Sequence, residues 1–173
     1  MMTNNIIDKA GFEPLMMTII IINGLEEGTK LMPLWNIFHP PGAFTREEKQ
    51  QLSADITELY KPLPKFYVGV VFQEIAADSF FVGGRGAVSN FVRIWVDHIA
   101  RTMPNAEYRK RFMDKCNAVF TPFMNTRGLD WELHIDETAF DLWSLNGLAP
   151  PLPNTDEEAR WRDANRPLPP IAG

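Results

Sequence analysis

The histidines are the side chains whose spacing to nearby carboxylates could indicate a metal site in this sequence. The three histidines are His39, His98 and His134, and two of them lie near an aspartate in the sequence, Asp97 and Asp136. Imidazole and carboxylate groups bind divalent metals, but the spacing of these five residues matches no zinc motif. The sequence therefore predicts no metal site.

Two other reactive-looking features also have structural explanations. Cys116 falls in the apolar stripe of a predicted helix, which is typical of a core residue and not of a nucleophile. The glycine-rich segment 83–86 lacks the Lys-Ser/Thr pair that ends a phosphate-binding loop. Neither feature indicates covalent catalysis or nucleotide binding.

Size, composition and charge exclude several classes of protein. The chain has 173 residues, 45% of them hydrophobic, which suits one globular domain with a core. A net charge of −5 argues against a nucleic-acid partner. No apolar run approaches the roughly 20 residues of a membrane span, so no membrane partner is expected. We expect a protein that works in the cytoplasm.

The chain divides into three parts by composition. Residues 1–31 are an irregular extension with one short apolar run, 16–22, and no secretory signal is predicted there. Regular patterns occupy residues 32–148, the predicted domain. Residues 149–173 form a tail with six prolines, in which Thr155 could cap a short helix. The rest of this tail should be extended, along the surface or a neighbouring subunit.

The predicted domain contains two tandem β-α-β units. In the first, strand 34–38 precedes a capping box at Thr45 and Glu48, a helix to residue 60, and an apolar strand 66–72 expected to be central and buried. Residues 76–90 read as a loop or hairpin.

The second unit repeats this order. It has strand 91–96, helix 106–125 closed by Arg127-Gly128, and strand 131–135. Right-handed crossovers place both helices on one face of one sheet. The predicted fold class is therefore α+β, a four-stranded mixed sheet with two helices on one face.

Six segments of the sequence together form a pattern that is specific to a protein family, although no single segment would be specific alone. They are residues 33–42, 81–84, 97–101, 130–138, 142–148 and 165–167. This set resembles the tautomerase superfamily, and within it the subgroup similar to cis-3-chloroacrylic acid dehalogenase, especially the fungal oxalocrotonate tautomerase-like proteins. The resemblance covers about residues 32–170. It implies a cofactor-independent enzyme, a homotrimer and a small carboxylate substrate.

The resemblance implies that the catalytic group is the amine of Pro33, exposed when the preceding methionine is removed. An α-amino group titrates near pH 7.7–8.0 in model peptides, so this amine could act as an acid or a base near neutrality. If the residues before Pro33 are retained, the Pro33 nitrogen is an amide without basicity. The alternative interpretation is an ordinary proline at the start of a strand.

Substrate binding is implied at two positions. Arg101 aligns with a substrate-binding arginine of the family, and a surface arginine is the alternative. The second family arginine falls on His98, which holds a carboxylate less firmly than a guanidinium does. Arg85 and Arg93 are other candidate cations, although strand alternation puts Arg93 on the face opposite His98.

Two further positions differ from the dehalogenase pattern. His134 falls where that pattern has a polarising tyrosine, and it should share a face with Glu132 and Asp136. Tyr60 falls where the pattern has a histidine, and its hydroxyl could orient a carbonyl. Structural roles in the core are the alternative for both.

The largest departure is Leu145, which occupies the position of the glutamate that activates water in the dehalogenase pattern. Unless Glu132 or Glu137 substitutes, weak or no dehalogenase activity is expected. The predicted function is tautomerisation of a small 2-oxo or enol carboxylate through Pro33, with Arg101, His134 and Tyr60 as further catalytic residues. The alternatives are a hydratase or dehalogenase of 3-substituted acrylates, and a catalytically silent protein that binds a small acid.

Overall fold

The computed structural model describes residues 32–61, 63–86, 90–99 and 102–171. The predicted extension 1–31, with its apolar run, therefore lies outside the described residues. Six strands, three α-helices and two short 3₁₀ segments occur in the described part. Four of the strands form one sheet, and the other two form a small hairpin.

The first half of the sheet is a β-α-β unit. Strand β1 (Met32–His39) is followed by helix α1 (Arg46–Glu58), a 3₁₀ turn (Lys65–Tyr67) and strand β2 (Gly69–Glu74), which pairs parallel to β1. The predicted capping box is present, because Thr45 accepts a hydrogen bond from the Glu48 backbone and the Glu48 side chain bonds back to Thr45.

The second half repeats this plan. Strand β5 (Phe91–Ile99) leads through helix α2 (Ala106–Arg127) to strand β6 (Asp130–Thr138), parallel to β5. Gly128 takes the left-handed conformation that ends α2, as the Arg127-Gly128 pair predicts. Between the two units, β3 (Phe81–Val82) and β4 (Arg85–Gly86) form the hairpin.

The two units meet through antiparallel pairing of β1 with β5, so the strand order is β2-β1-β5-β6. The predicted four-stranded mixed sheet is confirmed. The expectation that the second strand is central was wrong, because β2 is an edge strand and Val71 is 40% exposed. A short apolar run does not distinguish a central strand from an edge strand whose outward side chains are also apolar.

Both helices lie on one face of the sheet, and the core lies between them. Alternate residues of β1 and β5 point into it, so Trp35 and Ile94 are fully buried. Trp35 stacks on Phe120 of α2, with ring centroids 5.6 Å apart. Arg127 at the end of α2 forms an ion pair with Glu48 at the start of α1, which ties the two helices together.

The tail folds back onto this core. Helix α3 (Asp156–Ala164) is capped by Thr155, as predicted, and its Trp161 is buried. The Trp161 ring lies 6.4 Å from that of Phe66, and the Asn165 side chain accepts a hydrogen bond from the Phe66 backbone at 3.1 Å. The tail helix therefore covers the 3₁₀ turn that leads into β2.

Replacing Phe120 with alanine tests where the core lies. Phe120 is fully buried against Trp35, so its truncation should lower the free energy of unfolding by about 3–5 kcal/mol. The matched control is Phe81→Ala, because Phe81 is 59% exposed on the hairpin and its loss should change stability by less than about 1 kcal/mol. Urea unfolding measures both. Equal losses would contradict this placement of the core.

Candidate active site

Pro33 lies at the start of β1 and faces His98 of β5. The two residues are partners in the antiparallel register, and the side chains of such a pair lie on the same face of the sheet. Pro33 lies two positions before Trp35, and His98 lies two positions after Val96, so each points to the same side as its buried neighbour under the helices. Pro33 and His98 are themselves buried, so they form the end of the helix-covered face.

Tyr60 completes this cluster from the first helix. It follows the end of α1 by two residues, and its hydroxyl oxygen lies 3.1 Å from Nε2 of His98. Phe112 of α2 packs against both rings, with centroid distances of 5.8 Å to Tyr60 and 5.2 Å to His98. The site predicted from sequence thus has three of its members in one place: Pro33, Tyr60 and His98.

The surroundings of this cluster keep it uncharged. Burial without an opposing charge lowers the pKa of His98 from its usual 6.5 to about 3. Burial also raises the pKa of Tyr60 well above 10. Both groups are therefore neutral at pH 7, so neither of them can neutralise a carboxylate.

His134 lies elsewhere. It is on the face of the sheet that the helices leave open, where its ring stacks on Trp95 with the centroids 6.1 Å apart and the planes at 11°. The Trp95 indole donates to Asp136 at 3.0 Å, and Glu132 forms an ion pair with Arg93 at 2.6 Å. Glu132, His134 and Asp136 share this face, as expected, but a single chain does not bring His134 to Pro33.

The candidate arginines are also separated. Arg101 lies outside the described residues. Arg93 is on the open face with Glu132, as its alternation with His98 predicted. Arg85 is exposed on the hairpin, which connects to the sheet at the end that holds His39 and so lies away from Pro33.

Glu137 of β6 is the carboxylate that lies next to this cluster in the pairing of β5 with β6. It is paired with His98 and therefore lies on the helix-covered side of β6, whereas Glu132 does not. Its Oε1 accepts a hydrogen bond of 2.6 Å from the backbone of Met103 in the segment that precedes α2. Counting alternate residues along β6 from Leu133 would have found this orientation, since Leu133 packs on the core.

Two absences apply to the described part of the chain. Within residues 32–61, 63–86, 90–99 and 102–171, no group of three or more histidine, cysteine, aspartate or glutamate side chains is arranged to hold a metal ion. Over the same ranges, no helix is both long and apolar enough to cross a membrane.

Comparison with known proteins gives the family. A family profile described as "Putative oxalocrotonate tautomerase enzyme" matches residues 32–166. The fold, the residues at the start of β1 and this match together mean that the chain belongs to this tautomerase family. Membership of the tautomerase superfamily, expected from the sequence, is therefore confirmed.

Solved structures agree with this assignment. RhCC from Rhodococcus jostii RHA1 is 47% identical over 79% of this chain and 99% of its own, with a TM-score of 0.75. A protein from the thermophilic fungus Aspergillus fumigatus, described as a probable enzyme, is 42% identical over 82% of this chain and 99% of its own, with a TM-score of 0.77.

A more distant structure shares the fold. N1, a member of the cis-3-chloroacrylic acid dehalogenase family, is 17% identical over 76% of this chain and 97% of its own, with a TM-score of 0.60. No curated protein is similar enough to count as a match.

The buried histidine makes stability depend on pH. His98 has a pKa near 6.5 in the unfolded chain and about 3 in the folded one, so the unfolded state binds more protons below pH 6.5. The free energy of unfolding should therefore fall as the pH drops from 7 towards 4.5, and His98 alone should account for about 2 kcal/mol of that loss. Urea unfolding of wild type and His98→Asn at both pH values measures the difference. An identical pH dependence in the two proteins would contradict a neutral buried His98.

Proposed function

We propose that the protein is a cofactor-independent tautomerase of a small 2-oxo or enol carboxylate, with the Pro33 amine as its acid and base. The observation that carries this proposal is the position of Pro33. It is the second residue of the part of the chain that matches the family, and it lies directly opposite His98, which is neutral and hydrogen-bonded to Tyr60. We further propose that the enzyme acts in the cytoplasm.

The mechanism requires a free amine at Pro33. While Met32 is attached, the Pro33 nitrogen is a tertiary amide, which neither accepts nor releases a proton at neutral pH. Removal of Met32 and the residues before it converts the nitrogen to a secondary amine. The amine then titrates in the range in which general acid–base catalysis is efficient.

The proton transfer is simple once the amine is free. In ketonisation of an enol acid, the protonated Pro33 gives its proton to the substrate carbon while the enol hydroxyl loses its proton to water. The amine then recovers a proton from water. Hydrogen bonds from neutral groups stabilise the negative charge that develops on the substrate oxygen. In this proposal Arg101 holds the substrate carboxylate, as the resemblance implies.

The open face of the sheet supports a homotrimer. Leu34, Val71 and Trp95 are each at least 37% exposed on this face, and a group of exposed apolar side chains is typical of a surface that a partner covers. Because His134 lies here, it can join the proposed chemistry only in a site shared with a neighbouring copy. Its role in catalysis therefore depends on assembly.

Two alternatives remain as proposals with specific support. Glu137 faces the same side as His98, so it is the residue that could activate water in a hydratase or dehalogenase; Leu145 is apolar and forms a backbone bridge with Leu148. Retention of residues 1–32 before Pro33 would favour the silent protein that binds a small acid, because the Pro33 nitrogen would then be an amide. We place hydration and dehalogenation behind tautomerisation, because the Glu137 carboxylate is already engaged by the Met103 backbone.

A chain that starts at Pro33 should be active, and the uncleaved chain of 173 residues should not. Every described core residue lies at or after Pro33, and RhCC is covered almost completely by 79% of this chain, so the shortened protein contains the whole fold. Ketonisation of phenylenolpyruvate, followed by ultraviolet absorbance, measures the activity. Equal rates for the two chains would contradict the requirement for an amine.

Substitution of the proline should then remove most of the activity. In the shortened chain, Pro33→Ala replaces the secondary amine with a primary amine lacking the ring, and kcat/KM should fall by about 100-fold or more. Pro41→Ala is the matched control, because Pro41 is exposed in the turn after β1. A Pro33→Ala rate equal to that of the control would defeat the proline mechanism.

Assembly should depend on the open face. Val71→Asp introduces a charge at an exposed position of that face, so it should convert the trimer to monomers without unfolding them. Leu152→Asp is the control, since Leu152 is 63% exposed in the tail. Sedimentation velocity gives the mass of each variant and circular dichroism its folding. A wild-type monomer, or a Val71→Asp trimer, would contradict this assignment of the interface.

A further inference from the structure

We propose that Tyr60 holds His98 as the neutral tautomer with its proton on Nδ1, and that this Nδ1–H donates a hydrogen bond to the 2-oxo or enol oxygen of a monocarboxylate substrate. The proposal rests on the proposed function, because it assigns roles within the same site. It makes Tyr60 a positioning residue that acts through His98 and does not itself touch the substrate.

The contact between the two side chains favours this tautomer. The Tyr60 hydroxyl lies 3.1 Å from Nε2 of His98, and both residues are buried. A phenol is a stronger acid than the N–H of a neutral imidazole, and an imidazole nitrogen is a better acceptor than a phenol oxygen. The hydroxyl therefore donates to Nε2, which leaves the single ring proton on Nδ1.

The Nδ1–H of His98 has no hydrogen-bond partner among the residues that the structure describes. An unpaired buried donor is unfavourable, and a ligand oxygen that accepts its hydrogen bond would remove that cost. His39 shows the contrasting case at the other end of the same face. Its Nδ1 lies 2.8 Å from the Pro40 carbonyl, to which it donates, so that proton is already used.

The position of this donor suits the reacting part of a small substrate. His98 and Pro33 are cross-strand partners, and the Cα atoms of such a pair are about 4.5–5.5 Å apart. One substrate can therefore receive a proton on carbon from the Pro33 amine and a hydrogen bond on oxygen from His98. During ketonisation the enol hydroxyl loses its proton to water, and His98 keeps its own proton throughout.

The charges at this end of the sheet favour a monocarboxylate. Burial keeps His98 neutral by lowering its pKa to about 3, so its ring offers no positive charge to a second carboxylate. Its neighbour on the other side is Glu137, whose carboxylate repels a second negative charge. A 2-oxo acid with one carboxylate is therefore a better fit than a 2-oxo diacid.

Nitrogen NMR tests the tautomer and the donor role without depending on turnover. In the ¹⁵N-labelled chain that starts at Pro33, His98 should show a protonated Nδ1 and a bare Nε2 at pH 7, with His98→Asn identifying its signals. Adding phenylpyruvate should shift the Nδ1–H proton. The apparent Kd for 2-oxoglutarate, a dicarboxylate, should be at least about tenfold weaker. A proton on Nε2, an Nδ1–H unmoved by saturating phenylpyruvate, or tighter binding of 2-oxoglutarate would each overturn the proposal.

Two matched substitutions test the same assignment through kinetics. The amide nitrogen of asparagine falls near Nδ1 of histidine and that of glutamine near Nε2, so His98→Asn should keep kcat/KM within about tenfold of wild type. His98→Gln should lose at least about 100-fold, and Tyr60→Phe should lie between the two with an altered His98 tautomer ratio in NMR. A His98→Gln variant more active than His98→Asn, with both shown to be folded, would contradict the Nδ1 donor.

The two proposals can fail separately. If phenylpyruvate shifts the Nδ1–H proton but the shortened chain has no tautomerase activity, the donor assignment stands and the proposed function fails. If the chain is active while the Nδ1–H does not respond, the function stands and this inference is overturned.

Discussion

The antiparallel pairing of β1 with β5 is the interaction on which the rest of the structure depends. Each β-α-β unit alone would leave one edge of its first strand unpaired, and this pairing joins the two edges at the centre of the sheet. It brings Trp35 and Ile37 beside Val96 and Ile94 under the helices. The same register places Pro33 opposite His98, so the joining of the halves also assembles the candidate site.

The same arrangement buries His98, and burial determines the charge that its ring can carry. A charged imidazole would not be stable beneath two helices, and the neutral ring still needs partners for its nitrogens. Tyr60 supplies one of them from the end of α1. Tyr60 and His98 are therefore both neutral, which suits hydrogen bonding to a substrate oxygen and leaves the substrate carboxylate to be held by another group.

The two faces of the sheet have different roles in this account. The helix-covered face holds Pro33, Tyr60 and His98, and the open face holds His134 with Trp95 and its polar neighbours. Since strands separate alternate side chains completely, no local adjustment of one chain can bring His134 to the proline. A site that contained both groups would require His134 from a second copy of the chain.

Much of the fold could be predicted because its signals are local. The capping box at Thr45 and the glycine after Arg127 mark helix ends through contacts a few residues apart. The features that the sequence could not predict depend on pairing between segments that are distant in the chain. The edge position of β2 and the contact of Tyr60 with His98, 38 residues away, follow from the register of whole strands. Alternation along β6 grouped His134 with its neighbours correctly, but only the register shows that this group faces away from Pro33.

Proline-dependent tautomerisation requires a functional protein that begins at Pro33, and the decisive measurement is the intact mass and amino-terminal sequence of the protein purified from its native host. We expect a chain whose first residue is Pro33, with a free secondary amine. A chain that begins at Met1, or at any residue before Pro33, would contradict it, because the nitrogen would be an amide in that form. The fold would then serve a role other than proline-dependent tautomerisation.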